Sequence, residues 1–259
     1  MLLDDLLIDF CLDGAGPVAG MRLQAADHGS EIPVHHHRQG QLILTMAGGV
    51  TCEVAGGVWM VPPRYAVWVP GMMPHSIRAT PNARICYLYV QPGAAPMPVE
   101  CCTLAISPLV RALILDVADQ PRDYPAESRT GRKAALLLEE LAVMPVERLH
   151  LPVSDEPRMR RIATMLADNP ADRRTLAEWA HLVAMSERSL ARLARQETGM
   201  TFGRWRQQLH LIVAMRQLAA GQSVQRVAEE LGYESVTAFI TMFKKSVGKP
   251  PAKYFASIG

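Results

Sequence analysis

The chain has 259 residues, enough for two domains with separate cores, and a formal net charge of only +2 at pH 7. It contains no run of 18 apolar residues that would cross a membrane. Its five cysteines (Cys11, Cys52, Cys86, Cys101, Cys102) include no C-x-x-C, which excludes a disulfide framework and a zinc finger. The charge is unevenly placed, with 16 Lys and Arg against 10 Asp and Glu from Asp155 onward, but 11 against 15 before it, as suits nucleic-acid binding by the C-terminal part alone.

The opening MLLDDLLIDF is apolar but carries Asp where a secretion signal has basic residues, so a cytoplasmic protein is expected. From about Met21 to Gln91 the chain reads as short strands separated by turns. Gln41–Thr45, Val50–Val54, Val58–Val61, Ala66–Val69 and Arg84–Val90 are rich in branched and aromatic residues. Gly48-Gly49, Gly56-Gly57, Pro62-Pro63, Pro70-Gly71 and Pro81-Asn82 punctuate them. The pattern predicts a small antiparallel barrel or sandwich.

Within these strands His35 and His37 alternate, so on a strand they face one side together; Gln41 joins them if no bulge intervenes, and His75 arrives from a neighbouring strand. Three imidazoles and an amide oxygen suit a divalent transition metal, although replacing a carboxylate by an amide weakens a hard-cation site. The same residues also suit the lining of an organic effector pocket, or a surface loop with no ligand; Trp59 and Trp68 are more often core residues and at most line one end of such a pocket. The spacing Gly29, His35-x-His37, Gln41, Gly48 resembles the first cupin motif with Gln in place of Glu. Pro70 with His75 resembles part of the second, with Met72 standing where Gly is usual and Ala79 where Asn is usual.

The middle changes character. Ser107-Pro108 starts a helix to about Gln120 with Leu109, Leu113 and Val117 on one stripe, and Gly131 to Val143 forms a second. These helices either dimerise the chain or cover the barrel. Pro145 to Pro157 reads as a linker, and Arg158 to Asp168 opens the next domain, where Arg160 and Arg161 are candidates for phosphate contact.

The C-terminal stretch holds two copies of a helical pair. The first, Thr175 to Phe202, aligns with the second, Val224 to Pro251: Ala180 with Ala228, Ala184 with Gly232, Ser186 with Ser235, Leu190 with Phe239, Ala194 with Phe243 and Gly199 with Gly248. Thr175 with Glu178 makes a capping box, Ser186 and Ser235 are N-cap candidates, and Gly199 and Gly248 end the helices. These are the parts of two helix-turn-helix units. In the first recognition helix Arg188, Arg192 and Arg195 form an outward stripe, with Ser186 and Glu187 at its start. Arg pairs bidentately with guanine edges or phosphate. In the second, Thr237, Thr241 and Lys244 face out, a weaker base-reading set, with Ser235 at the cap and Lys244 or Lys245 positioned for phosphate. Thr201 caps a connecting helix from about Phe202 to Ala220. At 1.5 Å per residue it spans roughly 28 Å, which suits two readers about 34 Å apart on one face of DNA.

Ala228, Gly232-Tyr233, Ser235, Phe239, Phe243-Lys244-Lys245, Gly248, Pro251 and Tyr254 closely resemble the signature of the AraC/XylS transcription regulators, over about 100 C-terminal residues. Thr241 and Phe255 depart from the Arg that the family often carries at those places. The resemblance implies a non-enzymatic, sequence-specific DNA-binding regulator that is commonly dimeric, has a cupin-like sensor in front of the reader, and contacts RNA polymerase if it activates. The expected fold is α+β: a cupin-like sensor at 1–100, helices at 101–145, a linker at 146–156, and an all-α tandem helix-turn-helix domain at 157–259. A cupin-type metal enzyme and a ligand-independent dimeric repressor are the rival readings. The effector, the target genes and the direction of regulation are not fixed by the residues.

Overall fold

A computed structural model describes residues 16–25, 31–61, 65–147 and 149–256. The opening MLLDDLLIDF, Cys11, Gly29 and the Pro62-Pro63 turn lie outside the described residues. The chain divides into two compact units: residues up to 149 apart from 55–58, and residues 150–257 together with 55–58.

The first unit is a sandwich of two antiparallel sheets. One sheet is built from β1 (Val18–Gln24), β8 (Arg84–Val90), β3 (Gly40–Ala47), β6 (Tyr65–Val69), β9 (Cys102–Ala105) and β10 (Val146–Glu147), in that order. The other runs β5 (Gly57–Val61), β4 (Val50–Val54), β7 (His75–Ala79), β2 (Glu31–His35). Alternation along each strand makes two cores. Ile43, Val67, Val69, Ile85 and Tyr87 meet Ile32, Val50, Cys52, Trp59, Val61 and Ile77 between the sheets. Leu42, Leu44, Ala66, Trp68, Cys86 and Leu88 point outward from the first sheet onto two helices, α1 (Pro108–Ala118) and α2 (Arg129–Ala142).

Three expectations change here. The stretch from Cys101, read as helical, begins with strand β9, which pairs with β6. The buried stripe of α1 keeps the expected Val117 but otherwise consists of Val110 and Ile114 in place of Leu109 and Leu113, and Leu109 stays exposed. The linker also carries short strands, β10 on β9 and β11 (His150–Pro152).

The second unit is helical: α3 (Pro157–Asp168), α4 (Leu176–Leu182), α5 (Glu187–Thr198), α6 (Phe202–Ala219), α7 (Val224–Glu230), α8 (Val236–Val247) and α9 (Pro251–Ala256). Local chemistry sets the boundaries. The Thr175 side chain accepts from the Glu178 amide and Glu178 reaches back to Thr175, a complete capping box. Ser186, Thr201, Ser223 and Ser235 cap α5, α6, α7 and α8. Gly199 and Gly248 close α5 and α8 in the left-handed region. The two turns repeat bond for bond: Met185 N–H donates to Ala180 O at 2.8 Å and Tyr233 N–H to Ala228 O at 2.9 Å. Helix α6 is the central post, burying Phe202, Trp205, Leu209, Leu211, Ile212, Ala214 and Met215. The supposed linker is docked on this post, with Trp205 Nε1 donating to Pro152 O and Gln208 Nε2 to His150 O.

Candidate DNA-reading face and ligand chamber

Arg188, Arg192 and Arg195 all project from the exposed side of α5, while Leu190 and Ala194 are buried behind them. None of the three forms an ion pair among the described residues, so their charge is available to an anionic partner. Ser186 and Glu187 are exposed at the start of the same helix. On α8, Thr237, Thr241, Lys244 and Lys245 are exposed opposite buried Phe239 and Phe243, with Ser235 at the cap. Thr241 spends its hydroxyl on the Thr237 carbonyl at 2.8 Å. The second face is therefore poorer in free donors, as the sequence implied.

The sequence reading missed three cations. Arg173, Arg174 and Arg206 join Arg188, Arg192 and Arg195 around a concavity of about 690 Å³ between α5 and the starts of α4 and α6. They are scattered in sequence, and only the packing of α5 beside α6 gathers them. Arg173 pairs with Glu234 at 3.2 Å and Arg174 with Asp172 at 3.1 Å, and Arg160, outside the concavity, pairs with Asp155 at 2.6 Å.

In the first unit four predicted residues converge, but not on one strand. Ile32 faces Ile77 and His35 faces His75 across the β2–β7 ladder, so three steps on β2 match two on β7. That extra residue is a bulge at Pro33-Val34. It turns Val34 out to 72% exposure and re-aims His35 inward beside Ile32's face. His37 follows in the loop, and Gln41 lies on β3 of the opposite sheet, fully buried. The ring centroids are 4.3 Å apart for His35 and His75, 5.2 Å for His37 and His75, and 5.9 Å for His35 and His37. One ligating nitrogen of each lies within 4.8 Å of the others.

Each imidazole is held the same way. His35 Nδ1 meets Pro33 O at 2.9 Å, His37 Nδ1 meets Gln39 O at 2.7 Å, and His75 Nδ1 meets Met73 O at 2.9 Å. A carbonyl only accepts, so each Nδ1 carries a proton, and in His37 and His75 the Nε2 is left with a lone pair. Burial pushes His37 down and His75 down to about 4, so both are neutral at pH 7. The Nε2 atoms of His75 and His37 face Gln41 Oε1 at 2.8 and 3.4 Å, while Gln41 Nε2 donates to Tyr89 Oη at 3.1 Å. Lone pairs thus face lone pairs, an arrangement that a cation satisfies. Turning the amide end for end satisfies it differently: the NH2 group then donates to both rings and Tyr89 donates to Oε1.

The rim is braced. Met72 N–H donates to His37 O at 2.7 Å, and Met72 holds a left-handed backbone at φ 64°. A side chain on Gly71 would strike Arg38 O at 2.2 Å. Of the two candidate tryptophans, Trp59 lies in the inter-sheet core that the histidines border. Trp68 does not: it alternates to the outer face, donates from Nε1 to Pro98 O at 2.8 Å, and packs under the helices. Strand phase, which composition does not give, decides the difference. Tyr89, not anticipated, stands 5.3 Å from the His37 ring.

Comparison with known proteins places these units. The family described as an AraC-like ligand binding domain matches residues 18–142, and a helix-turn-helix domain family matches residues 179–257. The HTH-type transcriptional regulator NimR of Escherichia coli K12 is 51% identical over 226 residues, covering 87% of this chain and 83% of that protein. The HTH-type transcriptional regulator GadX of the same strain is 33% identical over 132 residues, covering 48% of this chain and 46% of that protein. Among solved structures, a DNA-binding transcriptional dual regulator from Escherichia coli K-12 aligns at 29% identity and a TM-score of 0.35, over 39% of this chain and 90% of that one. ToxT from Vibrio cholerae O395 aligns at 10% identity and a TM-score of 0.39, over 92% of this chain and 96% of that one.

Proposed function

The chain belongs to the AraC family of helix-turn-helix transcriptional regulators, and from that premise we propose that it reads two adjacent major-groove segments of duplex DNA under the control of a divalent transition-metal ion held by His35, His37, Gln41 and His75. The protein is a binding switch and not an enzyme. Arg188, Arg192 and Arg195 read base edges, with Ser186 and Glu187 at the helix start. Ser235, Thr237 and Thr241 make the lighter contacts of the second module. Lys244 and Lys245, with Arg174 and Arg206, sit on phosphates and set register. The sensing sandwich takes in β9 and β10 as well as the strands before residue 100, with α1 and α2 as its cover helices, and the reader spans 157–259 after a connecting stretch at 150–156. A second copy docks through α1 and α2, whose Leu109 and Leu136 are exposed, and the dimer works in the cytoplasm, contacting RNA polymerase where it activates.

The observation that carries the effector reading is the shared lock: three Nδ1–H groups tied to backbone carbonyls, the Nε2 atoms of His37 and His75 turned to Gln41, and one ligating nitrogen of each ring within 4.8 Å of the others. Backbone carbonyls holding ligand imidazoles by the second nitrogen are the ordinary outer support of a metal site. With imidazole and amide donors and no carboxylate, the site suits zinc, nickel or iron(II) better than magnesium or calcium.

A second reading has its own observation. Thr45 Oγ1, Tyr87 Oη and Thr103 Oγ1 are buried without a hydrogen-bond partner among the described residues, and all three strands turn these residues toward the inter-sheet space. A polar organic effector there would satisfy them. Metal analysis of purified, untagged protein, paired with DNA binding before and after chelation, separates the two. About one ion per chain with altered DNA affinity after chelation supports the metal. No ion and unchanged binding leaves the organic effector.

A further inference from the structure

The two helix-turn-helix modules are joined along α6, by a set of bonds that bypasses it, and by a side chain on α6 that bridges them. Arg173 lies in the loop before α4 of the first module. Its guanidinium donates through Nε to Gly232 O at 3.0 Å, through Nη2 to the same carbonyl, and through Nη1 to Glu234 Oε1 at 3.2 Å. Gly232 and Glu234 form the turn of the second module.

The backbones close up beside these bonds. Gly232 sits at φ 72°, and a side chain there would come within 3.0 Å of Ala171 O and 3.1 Å of its Cα. A third tie runs through α6 itself. His210 is buried at 6% exposure, with Nε2 on Pro170 O at 2.9 Å and Nδ1 facing Tyr233 Oη at 3.3 Å. Pro170 accepts, so the Nε2–H donates and Nδ1 accepts from the tyrosine hydroxyl. Tyr233 in turn packs edge-on against Phe239 of α8 at 5.5 Å. Residues 170–173 of the first module therefore hold residues 232–234 of the second, directly and through one imidazole.

A single connecting helix fixes how far apart two readers sit, but it bends and twists. A second attachment off the helix axis removes that freedom. We propose that Arg173, His210, Tyr233 and Glu234 form a latch that sets the spacing of the two DNA segments this chain accepts. These are positioning residues: they act through the placement of α5 and α8, not through bases. The inference rests on the reading that both modules engage one duplex.

The test uses the full chain and a duplex chosen by it from a random-sequence pool. Affinities are compared for that duplex, for versions with the two boxes moved apart or together by one or two base pairs, and for one with the second box scrambled. The variants are Tyr233→Phe with Glu234→Gln, which leaves Arg173 as a cation, and Arg173→Ala. The wild type should lose at least tenfold in affinity when the spacing changes. Both variants should bring that loss to within about threefold, and the Tyr233→Phe, Glu234→Gln chain should bind the single-box duplex as the wild type does. A wild type indifferent to spacing would overturn the two-module reading itself. A wild type that discriminates, with folded variants that discriminate equally, would overturn the latch alone. Equal weakening of every duplex by Arg173→Ala, with spacing preference intact, would assign that residue to phosphate contact only and likewise sink the latch.

Discussion

His210 offers the sharpest test of the helical unit. Burial, reinforced by the nearby Arg206 cation and only partly offset by the Pro170 bond, pushes its pKa from 6.5 down to about 4. The folded unit thus holds the ring neutral, while the unfolded chain takes up a proton below about 6.5. The sign follows: stability is complete above pH 6.5 and is lost as pH falls toward 4. At about 1.4 kcal/mol per pH unit, the full loss approaches roughly 3 kcal/mol, and about 2 kcal/mol of it is gone by pH 5. His210→Gln keeps a donor for Pro170 O but does not titrate. Urea unfolding should be followed by tryptophan emission in a chain with Trp59→Phe and Trp68→Phe, so that Trp179 and Trp205 report on the helical unit. Between pH 7.5 and pH 5 the His210→Gln chain should lose about 2 kcal/mol less than its parent. Parallel pH profiles for the two chains would refute the argument that the ring is kept neutral by its surroundings.

Other perturbations have equally definite outcomes. Arg192→Ala should cost about 1–3 kcal/mol on a footprinted site and relax preference at one position, whereas Lys244→Ala should weaken all sequences alike and lower the salt slope by about 1. Zinc at 100 times its dissociation constant should stabilise the sensor unit by about 2.7 kcal/mol, a rise of roughly 5–10 °C in thermal midpoint, and His75→Ala should abolish that rise in calorimetry. The two matching turns should respond oppositely. Ala184 carries a left-handed φ of 54° without being glycine, so Ala184→Gly should stabilise by about 0.5–1 kcal/mol. Gly232→Ala combines that strain with the Ala171 contact and should destabilise by about 1–3 kcal/mol in denaturant titration.

The helical unit was legible because its signals are local. A capping box, serine caps and glycine stops act within four residues, and each one, Thr175, Ser186, Ser235, Gly199 and Gly248, occupies its expected role. The sandwich was half legible. Strands β3, β4, β5, β6 and β8 announced themselves by branched and aromatic runs. Strands β2 and β7 did not, because EIPVH and HSIRA mix charge, proline and histidine. The histidine cluster was found by spacing, yet for an incomplete reason. Simple alternation along one strand would not join His35 to Gln41; the Pro33-Val34 bulge and a crossing to the other sheet do so. Trp68 and Leu109 were misplaced by strand phase and helix rotation, which depend on what lies opposite. The latch escaped notice because Arg173 and Gly232 are 59 residues apart, and no local pattern links them.

The topology of the sandwich also has a temporal consequence. Its ladders join distant stretches, Val18 to Val90 and His35 to His75, whereas the helical unit is built largely from neighbours, α4 on α5 and α7 on α8. Chains rich in nearby pairings fold in microseconds to milliseconds, and those that close long loops take milliseconds to seconds. After dilution from denaturant the helical half should be complete while the sensing half is still assembling. In that interval the molecule can hold DNA before it can hear its signal.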